Sequence, residues 1–491
     1  MQFFTKSLFL AGVVVAPVIP LLAQSSQTSP PAPIVSWGST RSGSAWTSWA
    51  PHDTGDTQVD PALAVGSDRL LTAVEAQFAI FFNPAQGDDQ YGTFSDTLGH
   101  WLGTGLPSPV NGFVITQPQL LLDPACPDGL GNVHQCYILI ARAVRSSDHA
   151  ARIVIGTSYW TGPQEFGSWK MVSFDVSHGD TGTPMYAALP RATLTKNALV
   201  INADMFAWNQ YAFQFGQVWV FPRSALYSNY LPLYTAWGFK NADGSVASTL
   251  VPAVSYVDST IAYLVNSIST SAGTANQLNI HQIDTTDPTA PTFGLSTVSV
   301  ADYSMPPDAE QLGTNTLITT GAAWITNAVL LSNGLWAAQT TGCMPDGDTT
   351  QRSCVRWYQI DPVASVVLQQ GTLGFAGAHF YYPALAANAA GDMTLAFSGS
   401  ASYSAVGIYY SGRRAADPPN TLDGFALLHD GDSCYVRPQG GVNTLGGRTA
   451  VVLDPSDGRS MWIFRSVRER HQLRLPGQRL GHVNRTGALV S

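Results

Sequence analysis

If this chain does chemistry, it does so with little glutamate. Only Glu75, Glu165, Glu310 and Glu469 occur among 491 residues. A hydrolytic site built on a glutamate acid–base pair is short of parts, while aspartate pairs stay possible. Three turns gather oxygen atoms as calcium loops do: Asp53-Thr-Gly-Asp56 with Asp60, Pro345-Asp-Gly-Asp348 and His429-Asp430-Gly431-Asp432. None has the spacing or the closing glutamate of an EF-hand, and they read as solvent-exposed turns. The cysteines lack zinc-site spacing, and no G-x-S-x-G elbow marks a serine nucleophile. No metal and no cofactor is expected. Aromatic side chains are the richer signal. Trp208, Tyr211, Phe213 and Phe215 crowd one segment, and Tyr227, Tyr230, Tyr234 and Trp237 the next. Their rigid faces suit sugar rings and peptide anchors, and equally suit packing between structural units. Arg413-Arg414 follows a predicted strand end, where it caps the strand or holds an anion.

What must position these residues is a repeat. Residues 382–398, YPALAANAAGDMTLAFS, read as an apolar strand, a polar turn and a second apolar strand. Related stretches begin at Asp60, Gln117, Leu189, Val251, Thr326 and Gly447. Aligned on one slot, they place Pro61, Pro118, Pro190, Pro252, Asn327, Pro383 and Arg448 in register, with gaps of 56 to 75 residues. Between the starts lie segments with room for two further strands, such as 216–221, 277–283, 355–360 and 406–411. Seven copies of about four strands predict an all-β fold, a single seven-bladed β-propeller of four-stranded antiparallel blades over residues 34–483. The last copy is short of strands. Residues 472–483 are expected to supply a third, and residues 35–48 to close the ring as the fourth.

Several stretches resemble a broad group of secreted bacterial β-propeller proteins, mostly of unassigned function. DTQVDPALAVGSDRLLTAVEAQFAIF resembles their first blade, and NALVINADMF with FGQVWVFPRSAL their third. NAVLLSNGLWAAQ with VRWYQIDP resembles the fifth, and FYYPALAANAAGDMTLAFS with GIYYSGR the sixth. The resemblance covers most of residues 56–467 and implies a propeller and export. Where such proteins often begin the final blade with a Gly-Asp-Tyr-Ser-like run, this chain has Gly446-Gly447-Arg448-Thr449. The DPSDGRSMW run at 454–462 is similar to the Asp-box turn of sialidase-like propellers, which is a structural turn there too.

Composition agrees with export. Residues 1–23 read as a signal peptide with Lys6 before an apolar core, and residues 24–33 as a polar linker. Residues 484–491 read as a disordered tail. Pro17 and Pro20 interrupt the apolar run, so no membrane span is expected. A formal net charge of −9 argues against nucleic acid as partner. The one basic run, 465–485, reads as a solvated terminal strand. The five cysteines suit an oxidising compartment: periplasm, cell surface or medium. Cys126 with Cys136 and Cys343 with Cys354 each flank a turn and are expected to pair, leaving Cys434 as a buried thiol.

In a propeller, residues just before the innermost strands ring the central opening. Asp60, Gln117, Arg191, Thr326, Asn327, His379, Tyr381, Tyr382 and Arg448 are therefore the expected ligand-binding set, and no catalytic residue is assigned. The expected role of this exported monomer is ligand binding or scaffolding through the funnel face, for a polar small molecule, a glycan or a protein. The alternative is a carbohydrate-active hydrolase or lyase using Asp, His and Tyr there, so whether the chain is an enzyme stays open. The closure is testable directly. Deleting residues 34–48 is expected to cost most of the cooperative stability, and unchanged thermal unfolding would place the closure elsewhere.

Overall fold

A computed structural model of the chain describes residues 60–82, 94–99, 112–127, 132–158, 169–177, 183–209, 211–228, 233–268, 273–431, 433–438 and 441–465. The signal, the linker, the tail and both expected closing strands lie outside these residues.

The described chain is a β-propeller of four-stranded antiparallel blades. Blade 1 holds β1 (Pro61–Val65), β2 (Arg69–Val74), β3 (Gln77–Phe82) and β4 (Phe94–Thr97). Blade 2 holds β5 (Val114–Pro127), β6 (Val133–Arg145), β7 (Ala150–Ser158) and β8 (Trp169–Asp175). Blade 3 holds β9 (Met185–Leu194), β10 (Ala198–Ala207), β11 (Ala212–Pro222) and β12 (Tyr234–Trp237). Blade 4 starts with β13 (Val251–Pro252) and, after the short β14 (Val254–Ser255), continues as β15 (Ile261–Ser267), β16 (Thr274–Asp284) and β17 (Thr292–Ser304). A hairpin, β18 (Ala309–Gln311) with β19 (Thr314–Ile318), precedes blade 5. That blade is β20 (Ile325–Leu331), β21 (Gly334–Cys343), β22 (Arg352–Asp361) and β23 (Val366–Leu373). Blade 6 is β24 (Ala378–Ala387), β25 (Met393–Ala401), β26 (Ser404–Arg413) and β27 (Ala426–His429), and a final hairpin pairs β28 (Ala450–Leu453) with β29 (Met461–Phe464).

Among the described residues the count is six four-stranded blades, not the expected seven. The seventh start, at Arg448, yields only two strands of four residues each. That hairpin nonetheless fills the gap between blade 6 and blade 1. Val451, Leu453, Met461 and Ile463 pack on Ala384, Ala386 and Ile408 of blade 6. Trp462 and Phe464 pack on Leu63, Val65 and Leu70 of blade 1. The alternation of side chains along a strand serves both neighbours at once. Inner strands are buried on both faces: every residue of β1 and β24 is buried. The peripheral strand β23 alternates with solvent instead. Among the described residues no helix is long and apolar enough to cross a membrane.

The aligned proline slot has a physical cause that the sequence did not show. Strands β5, β9 and β24 begin four or five residues before it and bulge at it. The residue before each proline is left-handed: Gln117 at φ 55°, Leu189 at 50° and Tyr382 at 54°. Proline disfavours a helical predecessor, and a left-handed non-glycine residue costs about 1–3 kcal/mol. Neighbouring blades hold these residues in place. The Leu189 amide donates to Gln117 Oε1 at 2.8 Å, and the Tyr382 amide to Thr340 Oγ1 at 3.0 Å.

Cys126–Cys136 and Cys343–Cys354 are bridged, with Cα atoms 5.8 and 5.9 Å apart. Cys434 stands outside both bridges and is half-buried rather than buried. Trp462 carries the tightest part of the closing seam. It is 1% exposed, and its Nε1 donates to Asp454 Oδ2 at 2.8 Å. Trp462→Ala is expected to lower stability by about 3–5 kcal/mol in denaturant unfolding. Trp324→Ala, at a side chain 45% exposed, should stay within about 0.5 kcal/mol.

Candidate binding site: the arginine-ended channel

The inner strands enclose a central cavity of about 670 Å³. Blades 1 to 5 and the closing hairpin line it; blade 6 does not. The reason lies in β14. After pairing with its own blade, the chain leans across and pairs in parallel with β20 of blade 5. Tyr256 then packs against Ala384, Ala386 and Ile463. Its hydroxyl accepts from the Leu453 amide at 3.2 Å. This side chain walls blade 6 off from the cavity, and burial pushes its phenol up to about 12.

Four of the nine expected residues line this cavity: Arg191, Thr326, Asn327 and Arg448. Thr326 is committed, donating to the Pro383 carbonyl at 2.5 Å. Asn327 Oδ1 accepts from the Leu385 amide at 3.0 Å. Asp60, Gln117 and Tyr382 lie behind that wall and are buried. Asp60 Oδ1 accepts from the Gly447 amide, at 2.9 Å, beside Arg448. The Tyr382 carbonyl accepts from Thr449 Oγ1 at 2.7 Å, and its hydroxyl donates to Thr319 O. Tyr381 is buried next to it, its hydroxyl donating to Ser400 Oγ at 3.1 Å.

His379, on β24 of blade 6, belongs to a different network, which reaches across to β22 of blade 5. Its Nδ1 accepts from the Ser353 amide at 3.2 Å, and its Nε2 lies 3.2 Å from an Arg352 nitrogen. Arg352 is in turn paired with Asp348 and Glu310, at 2.8 and 3.1 Å. Asp348 therefore does not sit in a free acidic turn: the Arg352 side chain and the Gly377 amide hold its carboxyl far below the usual range. The aromatic segments divide as well. Phe215, Tyr227 and Tyr234 pack against the core, whereas Tyr211 is exposed and Trp208 contacts Tyr186 and His149 at ring distances of 4.9 and 5.3 Å. Among the described residues no group of three or more acidic, histidine or cysteine side chains is placed to hold a metal ion.

The residue that sequence reasoning missed is Arg465. It was expected at the head of a solvated basic run, yet it is 1% exposed. Its Nε donates to Ser398 Oγ at 3.0 Å, and its guanidinium lies 5.8 Å from the Tyr382 ring. The charge of Asp60 acts on three guanidiniums, Arg191, Arg448 and Arg465. Burial pushes Arg191 down to about 9, and the positive charge of Arg448 acts in the same direction. Burial likewise lowers Arg448 and Arg465, with Asp60 opposing. Arginine stays protonated in proteins, so all three carry their charge into the interior. Among the described residues none of the three is ion-paired within 4.0 Å. Arg191 Nη1, Arg448 Nε, Arg465 Nη1 and Asp60 Oδ2 are buried without a partner. Only Arg191 and Arg448 face the cavity.

His379 supplies a pH test of this description. Burial first, then Arg352, pushes its imidazole from 6.5 down to about 4, so the fold accepts the neutral ring. Stability is full above pH 6.5 and is lost as pH falls toward about 4. After allowance for partial solvent access, the loss is about 1–2 kcal/mol. His281, pushed down to about 4 by burial, acts with the same sign. Denaturant unfolding at several pH values should show His379→Gln flattening part of this slope; an unchanged slope would contradict the assignment.

No protein-family model matches the chain, and no curated protein matches it. Among solved structures it is similar to the α-L-arabinofuranosidase Arb93A of Fusarium graminearum with an iminosugar inhibitor, at 12% identity and a TM-score of 0.42, over 83% of this chain and 99% of that one. Hsv2 of Kluyvelomyces marxianus gives 9% and 0.32, over 86% and 100%. An ancestral GH74 enzyme gives 12% and 0.35, over 83% and 51%. At these values no residue and no activity is carried across.

Proposed function

We propose that this protein is an exported binding protein whose central channel holds an anionic ligand on Arg191 and Arg448. One observation carries the reading: Arg191 and Arg448 line a cavity of about 670 Å³ with no carboxylate in contact, and among the described residues the one protein partner of Arg448 is the Pro190 carbonyl, at 3.4 Å. A bound anion would supply the missing counter-charge where low dielectric strengthens the attraction. Asn327 stands on the same cavity wall. Two disulfides fit the oxidising compartment expected of an exported protein. The hydrolase reading would join aspartate, histidine and tyrosine at the cavity. His379 is engaged with Arg352 and Ser353 instead, so binding is put first.

Thermal unfolding in rising sulfate, acetate and citrate, against chloride at matched ionic strength, tests this. At least one of the three anions should raise the Tm progressively, as expected when a ligand binds only the folded state. Arg191→Met and Arg448→Met should abolish that rise while remaining folded, because replacing an unpaired buried charge by an apolar side chain is often neutral or stabilising. No anion-specific rise in the unaltered protein, or an equal rise in both variants, would overturn the reading.

A further inference from the structure

Which anion fits is set by the rest of the wall. Away from Arg191 and Arg448 the lining is largely aliphatic, with Leu63, Leu120, Val329 and Val451 from four strands beside Thr195, Ser255, Tyr256 and Thr449. Its polar groups are largely spent on the fold. Gln119 takes the Ala192 amide on Oε1 at 2.5 Å and gives Nε2 to the Ala192 carbonyl at 3.0 Å. Thr326 is bonded to Pro383. At the opposite rim the cations are neutralised, Lys196 by Asp258 at 3.1 Å and Arg223 by Asp123. The cavity is therefore a tube with a cationic inner end, apolar sides and a charge-balanced mouth. A sugar acid would leave its hydroxyls unmatched along such walls, at a cost that one carboxylate contact does not recover.

We infer that the ligand is a linear aliphatic monocarboxylate, its head between Arg191 and Arg448 and its chain running along the inner strands toward the Lys196–Asp258 rim. This rests on the anion-binding reading above and narrows it to one chemical class. The tube's length follows from the strands that form it. The five residues of β1 span it, and the four steps between them, at a rise of about 3.3 Å, cover roughly 13 Å. A zigzag hydrocarbon advancing about 1.3 Å per carbon fills that length with about ten carbons. The volume lies within the usual range for small-molecule sites.

Calorimetric titration of the full chain with n-alkanoates from acetate to hexadecanoate, below their micellar concentrations, tests the inference. Affinity should rise about fourfold for each added methylene, the value expected for burying one, and level off near ten carbons. Arg448→Met should weaken decanoate at least tenfold. Leu120→Asn should weaken decanoate and spare acetate, and the unaltered protein's own chain-length series decides the matter if either variant fails to fold. Short carboxylates binding with no chain-length trend would overturn this inference and leave the anion reading standing. So would glucuronate binding more tightly than octanoate. Alkanols binding as tightly as alkanoates would overturn the anion reading itself, and this inference with it.

Discussion

Each blade has two apolar faces and covers neither by itself, so the whole molecule depends on lateral packing carried unbroken around a ring. The weakest-looking link is the hairpin β28–β29, two short strands between blades 6 and 1. It succeeds because alternate residues serve different neighbours. Val451 and Ile463 face one blade, while Trp462 and Phe464 face the other. Without that hairpin two sheets would expose aliphatic faces at once.

Ring closure also creates the site. Inner strands arriving from different sectors bring Arg191, Arg448 and Arg465 close to Asp60, although up to 405 positions separate them along the chain (465 − 60). The fold buries these charges without pairing them. Such an arrangement is costly in a purely structural role, where well-packed apolar residues would serve as well or better. Its tolerance here is most simply understood through an occupant that completes the electrostatics.

Much of the architecture was legible in the sequence. The strand–turn–strand at 384–397 shows itself because fully buried strands read as uninterrupted apolar runs. The disulfides show themselves because each pair flanks a turn. Three features were not legible. Left-handed Gln117, Leu189 and Tyr382 carry side chains with no preference for that conformation, so only tertiary bonds from neighbouring blades reveal it. Arg465 looks like surface in a basic run, and its burial depends on Ser398, Gly446 and Tyr382, far away in the chain. The blade count differs because, among the described residues, only two short strands follow the seventh start.

The parallel pairing of β14 with β20 bears on how such a chain can change over generations. Most repeats here are self-contained sheets, which gene duplication or loss can add or remove whole. Blade 4 instead lends two residues, Val254 and Ser255, to the edge of blade 5, and sends Tyr256 on to the closing hairpin. A crossover between these two repeats would strand the borrowed segment and breach the partition in front of blade 6. Blades 4 and 5 are thus joined as one structural piece on this side of the ring.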